Sequence, residues 1–486
     1  MKPVVMKFGG TSVGSAECIR RAAEIVRSAQ KGYQVVVVVS AMGGVTDQIV
    51  EALHKARTGS VSDVEAICQA LRKRHAAAVA ELFSTGARET VAASVGGVMD
   101  RLADVCSGVT KVAALPPQIS DMALSLGEEM SARILASYLE QQGTPAVFVD
   151  SGECIVTDGK FGEATPDFDA TTRAARALLM PLVSAGTVPV VTGYRGATSS
   201  GQLTTLGRGG SDYSATILGA VLAAGEIWIW TDVDGVLSAD PRLTKNAATL
   251  DEITFNEAVE LSHYGAKVVH QRAIQPARNA AIPVWIKNSF HPEAAGTRIG
   301  SNPSAGGSPV KAVTAVNRAS LITVSTRQDV HPAEIFGRLL MRLAGEHVDL
   351  LFSAQSAQNA LLFALRETDE RNVLDVIRRL FRTEFSHGVL DPVNVQRNVA
   401  VIAVLGEAMK GTPGILARLF STVAEREVSV MAVAQGASEL SICFAVPAQA
   451  ANQVVQSVHD ELCVSAARSP SNVRSSTRRE PQKVES

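Results

Sequence analysis

The sequence predicts an α/β protein with a mostly parallel sheet between helices, on three observations. Val4, Val5 and Met6, and the five valines of 35–39, are apolar runs without polar alternation, as in strands covered on both faces. Each run opens into a loop of small residues, KFGGTSVG at 7–14 and SAMGGVT at 40–46. Helical spacing follows the first loop, with Ile19, Ala22, Ala23 and Val26 on one face of 16–29. Repetition of strand, loop and helix gives a parallel sheet, and ligands gather at the carboxyl ends of its strands.

The first loop has Lys7 at the strand's end and two glycines where backbone must come close to a ligand. Thr11 or Ser12 is expected to cap the helix, leaving unpaired amides for phosphate oxygens. Neither GxxxxGK[ST] nor GxGxxG occurs, so this is not a Walker loop or a dinucleotide fingerprint.

Residues 61–112 read as helical, without evident chemistry. Leu124, Leu126, Ile134, Leu135 and Leu139 predict an amphipathic helix over 119–142. Within it, Glu128 and Glu129 project about 100° apart, so one at most faces a site, and on spacing alone they read as a solvated pair. Strands are expected at 146–150 and 188–192, then a hairpin over 193–210 containing Arg195 and Arg208. The hairpin leads to GRGGSD at 207–212, where a Ser/Asp cap is expected to open a helix over 213–224. A buried arginine beside three glycines requires an anionic partner, which makes this a second anion-binding turn. After a strand at 226–230 come TDVDG at 231–235, Arg242 in DPR, and Gly265, Ala266 and Lys267 before a helix ending near 279. The strand 282–287 completes this body. Lys7, Arg208, Arg242 and Lys267 recur beside strand ends, a pattern suited to a polyphosphate.

A chain of 486 residues exceeds a single core and implies about two to four domains. With 46% hydrophobic and 19% charged residues it is globular, and its net charge of -2 with no dominant basic stretch argues against nucleic acid. The six cysteines form no CxxC pair and no zinc spacing, so reduced core thiols are expected. No signal peptide and no membrane-spanning apolar run is evident, which leads to the expectation of a soluble, cytoplasmic protein.

Residues 291–309 have the proline and glycine content of a linker. Beyond it, Ile335, Arg338, Leu339, Val348, Ala354, Gln355 and Ala357 recur at an offset of 80 residues as Ile415, Arg418, Leu419, Val428, Ala434, Gln435 and Ala437. Residues 466–486, rich in serine, arginine and proline, are expected to be a disordered tail.

KFGGTSV (7–13), GE (127–128), GRGGSD (207–212), TDVDG (231–235), DPR (240–242) and GAKV (265–268) occur in the order found in aspartate kinases, and the chain resembles that family over residues 4 to about 465. The resemblance implies an amino-acid-kinase fold over 1–290, a linker at 291–309, and two α+β ACT domains of βαββαβ form at 310–393 and 394–465. Residues 310–316 would complete the second module's sheet. It implies transfer of the ATP γ-phosphate to the β-carboxylate of L-aspartate, with Mg2+ held mainly through the phosphates and no protein metal site. Lys7 and Asp212 would be catalytic; Ser40, Thr46, Glu128, Arg208 and Ser211 would hold aspartate, Arg208 taking its α-carboxylate and Glu128 its ammonium. Lys7, Phe8, Gly9, Gly10, Thr231, Asp232, Leu237, Arg242, Lys267 and Val268 would line the nucleotide. A lysine or threonine effector at the ACT domains, and a homodimer or homotetramer through them, are also implied.

Two residues depart from the family pattern: Leu237 stands where a tyrosine is usual and Gln271 where a proline is usual. The first ACT copy has His331, Pro332 and SAQS at 353–356 where lysine-inhibited members have glycine-rich and Thr-Ser-Glu-like residues, so only Asp349 of their ligand set is matched.

Overall fold

The computed structural model describes residues 2–266, 269–301, 308–327, 331–356 and 359–464. They form two compact units, 1–237 with 249–304, and 238–248 with 305–486.

The first unit begins with β1 (Val4–Phe8), α1 (Ala16–Gln30), β2 (Val35–Val39), α2 (Val45–Arg57), α3 (Val61–Leu82), α4 (Thr85–Val112), α5 (Pro117–Leu124) and α6 (Leu126–Gln141). It continues through β3 (Ala146–Val149), β4 (Val156–Thr157), α7 (Phe168–Ser184), β5 (Val188–Thr192), β6 (Arg195–Thr198), β7 (Leu203–Thr205), α8 (Gly210–Val221) and β8 (Glu226–Thr231). Its last elements are β9 (Glu252–Thr254), α9 (Phe255–His263), α10 (Gln271–Asn279), β10 (Val284–Asn288) and β11 (Thr297–Gly300). The described strands make an eight-stranded sheet ordered β3-β5-β2-β1-β8-β10-β11-β9, with only β11 antiparallel to its neighbour β10. Central β1 pairs in parallel with both β2 and β8 and is buried along its length, which is why its sequence lacks alternation. One core packs β1 and β2 against the apolar faces of α1 to α6.

Several expectations change. The cap of α1 is Ser15, whose hydroxyl accepts from the Cys18 amide at 3.3 Å, so Thr11 and Ser12 lie in the loop before it. The helix expected over 119–142 is two, α5 and α6, meeting at Ser125. Helix α8 begins at Gly210, and its N-cap Gly209, at φ 70°, makes no side-chain cap; Ser211 and Asp212 sit in the first turn with side chains free for other contacts. β11 lies within the stretch expected to be a linker. Gln271 is the first residue of α10, a position where proline is favoured but not needed.

The second unit contains β12 (Ala312–Ser325), α11 (Pro332–Gly345), β13 (Leu350–Ser356), β14 (Ala360–Arg366), α12 (Glu370–Leu380), α13 (Arg382–Ser386), β15 (Asn394–Leu405), α14 (Ile415–Ala424), β16 (Ala432–Gln435), β17 (Ser441–Pro447) and α15 (Ala451–His459). Its described strands form a six-stranded sheet ordered β13-β14-β12-β15-β17-β16, each antiparallel to the next. The two repeat copies share this sheet: Ala312 to Val316 pair with Leu405 to Val401, beside the second copy's β17, while Leu321 to Thr323 pair with Gln396 to Asn394 beside β14.

Residues 238–248, expected in the kinase body, pack on this unit instead. Ala239 joins its core, Ser238 Oγ lies 2.8 Å from His459 Nε2 within the buried interior, and the Val313 amide donates to the Ser238 carbonyl at 2.8 Å. The expected tail, 466–486, lies outside the described residues.

Candidate functional site

A cleft of about 500 Å³ opens where β1, β2 and the loop before α8 end, and Lys7, Gly10, Ser40, Thr46, Glu128, Arg208, Ser211 and Asp212 all line it. Residues more than 200 positions apart meet there because β1 and β2 end side by side and α8, whose first turn carries Ser211 and Asp212, packs against both strands.

Lys7 is carried into this cleft by a strand whose other side chains are core. Its ammonium is 2.6 Å from Asp212 Oδ1, both groups being largely buried. Release of Asp212 from capping duty thus supplies the lysine's counter-ion. The glycine loops meet closely: the Gly43 amide donates to the Gly10 carbonyl at 2.9 Å, and a Cβ on Gly10 would sit 2.9 Å from the Ala41 oxygen and 3.2 Å from the Gly43 Cα. The Gly9 amide is used in the sheet, donating to Trp230 O at 3.0 Å. Among the described residues, the amides of Gly10 and Thr11 in the loop find no acceptor, and neither do those of Ala16 and Glu17 in the first turn of α1, where Ser15 caps only Cys18.

Glu128 and Glu129 are both buried, which overturns the solvated reading. They diverge as helix geometry requires. Glu128 lines the cleft, and its Oε2 is buried without a hydrogen-bond partner among the described residues. Burial pushes it up to about 8, against the opposing pull of the Ala41 amide, its own amide, Arg195 and Lys7. Glu129 turns into a cationic cluster: Oε1 accepts from Arg101 at 2.5 Å and Arg133 at 2.9 Å, and Oε2 lies 3.3 Å from Arg195. Its burial acts to raise its pKa, but Arg101, Arg133 and Arg195 outweigh it and hold the carboxyl below the usual range. Arg195 also reaches Asp150 at 2.5 Å, so it is a structural cation locking β6 to α6.

Arg208 is exposed, contrary to the buried arginine expected, and no carboxylate among the described residues pairs with it. Ordered glycines on either side, Gly207 at φ 76° and Gly209 at φ 70°, shape the turn that carries it. A Cβ on Gly209 would sit 2.8 Å from that of His270.

The nucleotide set is less concentrated. Phe8 is wholly buried and stacks on Trp230 at 6.1 Å between centroids, so it is core and contributes no side chain to the cleft. Thr231, at the end of β8, has its hydroxyl 3.1 Å from the exposed Asp232, and Leu237 bridges to Thr249. None of Gly9, Thr231, Asp232 and Leu237 lines the cleft itself. Arg242 falls in the second unit, 86% exposed and 2.6 Å from Asp240. Lys267 and Val268 lie outside the described residues.

Other contributors had no signal in spacing or motif. Arg74 on α3 donates to the carbonyls of Gly43 at 2.7 Å and Gly14 at 3.1 Å. Asp121 on α5 accepts from the amides of Gly162 and Thr205 at 2.9 and 2.8 Å and from the Thr205 hydroxyl at 2.9 Å, fixing one wall. Tyr194, lining the cleft, is held at φ 71° with its amide donating to Ser214 Oγ at 3.0 Å. Among the described residues no three His, Cys, Asp or Glu side chains gather to hold a metal, and no helix is long and apolar enough to cross a membrane.

Comparison with known proteins places this geometry. Residues 2–288 match the model of the amino acid kinase family, and residues 402–462 match that of the ACT domain. The lysine-sensitive aspartokinase 3 of Escherichia coli is 31% identical over 94% of this chain and 99% of its own length. The crystal structure of E. coli aspartokinase III in complex with aspartate and ADP superposes with a TM-score of 0.81 at 28% identity, covering 95% of this chain and 100% of that one. A bifunctional aspartokinase/homoserine dehydrogenase of Haemophilus influenzae is 29% identical over 94% of this chain, and the chain spans only about half the length of that type of relative, 56% in this case. By family model, by sequence over nearly the whole length of a single-function relative and by fold, the chain belongs to the amino acid kinase family and, within it, to the aspartokinases.

Proposed function

We propose that this chain transfers the γ-phosphoryl group of ATP to the β-carboxylate of L-aspartate, giving 4-phospho-L-aspartate at the head of lysine, threonine and methionine synthesis. The observation that carries this reading is the polarity of the cleft. Among the described residues Arg208 has no ion-pair partner and the buried Glu128 Oε2 has no donor, and both face one space, as a zwitterionic amino acid requires. A guanidinium suits the α-carboxylate through paired hydrogen bonds, and Glu128 suits the ammonium. Ser40, Thr46 and Ser211 supply hydroxyls along the same wall.

The acceptor carboxylate has an ordinary pKa of ~3.9 and is already ionised at neutral pH, so it needs no general base. Catalysis is then positioning and charge neutralisation. Lys7 is the residue that meets the charge developing on the transferred group, with Asp212 holding its ammonium in place before ATP binds. The free amides of Gly10 and Thr11 receive phosphate oxygens, and Thr231, Asp232, Leu237, Lys267 and Val268 are assigned to the nucleotide. A magnesium ion carried by ATP's own phosphates would neutralise part of their charge.

We assign the phosphoryl-transfer chemistry to the first unit and effector binding, by lysine or threonine, to the paired repeats, through which a homodimer or homotetramer would form. Cytoplasmic location belongs to the same reading. The test is ATP-dependent acyl phosphate formation trapped with hydroxylamine, with L-aspartate and L-glutamate offered separately, each with and without lysine and threonine. Turnover with aspartate alone supports the assignment. Absence of product from a folded chain that binds ATP refutes it.

A further inference from the structure

Helix α3 enters the fold as a flank, yet it sends one side chain to the cleft's backbone. Arg74 donates through Nη1 to the Gly43 carbonyl at 2.7 Å and through Nη2 to the Gly14 carbonyl at 3.1 Å. Gly14 belongs to the loop after β1, and Gly43 to the loop after β2. Among the described residues two backbone hydrogen bonds join these segments, Ser40 amide to Phe8 carbonyl at their root and Gly43 amide to Gly10 carbonyl farther out. The half-buried guanidinium adds a side-chain fastening to these, and among the described residues it makes no ion pair. Its charge is therefore spent on the two carbonyls.

A planar fork serves both acceptors through two terminal nitrogens held at fixed spacing and direction. A lysine offers one nitrogen on a flexible stem and would not hold the two carbonyls at that fixed spacing. The geometry matters because Gly10 and Gly43 already approach to the limit a Cβ would forbid. Slippage of either loop shifts the Gly10 and Thr11 amides relative to Ser40 and Thr46.

We propose that Arg74 is a positioning residue that clamps the loop after β1 to the loop after β2 and so sets the gap across which the phosphoryl group passes from donor to acceptor. This rests on the function proposed above, in which the first loop holds the ATP phosphates and the second holds the amino acid. It touches neither substrate, so its removal loosens alignment rather than binding. Misplacement of reacting groups by about 1 Å costs on the order of a hundredfold in rate.

The test uses the full chain with Arg74→Ala and Arg74→Lys. The expected result for R74A is a fall in kcat of about 30- to 100-fold, with KM for ATP and for aspartate each within about threefold of wild type. R74K recovers little of that loss, whereas guanidinium ion added at millimolar concentration restores part of the R74A activity and none of the R74K activity. Amide exchange measured by mass spectrometry speeds up in peptides covering 9–14 and 40–46 and stays at wild-type rate in β5 and α8. Wild-type kcat in R74A, or unchanged exchange in the two loops, overturns the proposal. So does a loss that guanidinium does not relieve and that tracks a fall in Tm, since that marks a merely structural role. If the wild-type chain makes no acyl phosphate, the functional reading fails on its own, and the exchange measurement still decides whether the clamp exists. Should R74A fail to fold, exchange and kcat in R74K carry the same decision.

Discussion

Glu128→Gln tests the central electrostatic claim about the cleft. Burial pushes the Glu128 carboxyl up to about 8, above its ordinary 4.5, so at pH 7 the empty site holds it protonated about ten to one. An ammonium ion is bound by the carboxylate, so binding must expel that proton. This costs about 1.4 kcal/mol at pH 7 and nearly nothing above pH 8.5. The KM for aspartate is therefore expected to fall about eightfold between pH 7 and 8.5, while the substrate's own amino group stays mostly protonated. Calorimetric titration at pH 7 in buffers of different ionisation enthalpy should show close to one proton released per aspartate bound. In Glu128→Gln the proton release and the pH slope disappear, and KM rises about 10- to 100-fold as a charged hydrogen bond is lost. A KM that is flat from pH 7 to 8.5, with no buffer dependence of the binding heat, would refute the reasoning. Stability gives an independent reading. A carboxyl whose folded pKa is raised contributes most below about 4.5, and that contribution is lost as pH climbs through about 8. Glu128→Gln should accordingly gain Tm over wild type at pH 8 and gain little at pH 4.5.

Lys7→Ala is expected to lower kcat by about 10²- to 10³-fold while KM for aspartate moves far less, because its charge acts on the transferred group; unchanged turnover in steady-state assays would exclude it from that role. Arg208→Lys retains charge but loses the paired geometry, and KM for aspartate should rise about tenfold or more with little change in Tm, since the side chain is exposed and makes no ion pair among the described residues. Gly10→Ala puts a methyl against the Ala41 oxygen and Gly43 Cα, backbone atoms that cannot swing away, so thermal denaturation should show about 1–3 kcal/mol lost together with most of the activity.

The strands and small-residue loops were legible because their signals are local. Five consecutive valines read as a strand covered on both faces, and the structure buries every one. The segment 16–29 likewise reads correctly as a helix, since its apolar spacing is a property of adjacent turns. Charge status was misjudged where it depended on distant partners. Glu128 and Glu129 look like a solvated pair in the sequence, and the three arginines that make burial of Glu129 tolerable come from positions 101, 133 and 195. Arg208, expected to be buried, is exposed, and Arg195, two strands' length earlier, is the buried one. Likewise Ser211 and Asp212 carry a cap's composition, but the left-handed Gly209 takes over the start of α8 and frees Asp212 for Lys7.

Family resemblance identified which residues to bring together, and periodicity identified the elements that carry them. The pairing of Lys7 with Asp212, the clamp of Arg74 across two glycine loops, and the attachment of 238–248 to the second unit were decided only in three dimensions. Periodicity and turn chemistry are set by neighbours a few positions away and are therefore written in the chain. Ion pairs and loop-to-loop hydrogen bonds join residues tens to hundreds of positions apart, and which of several equivalent arginines or carboxylates meet depends on sheet order and helix phase.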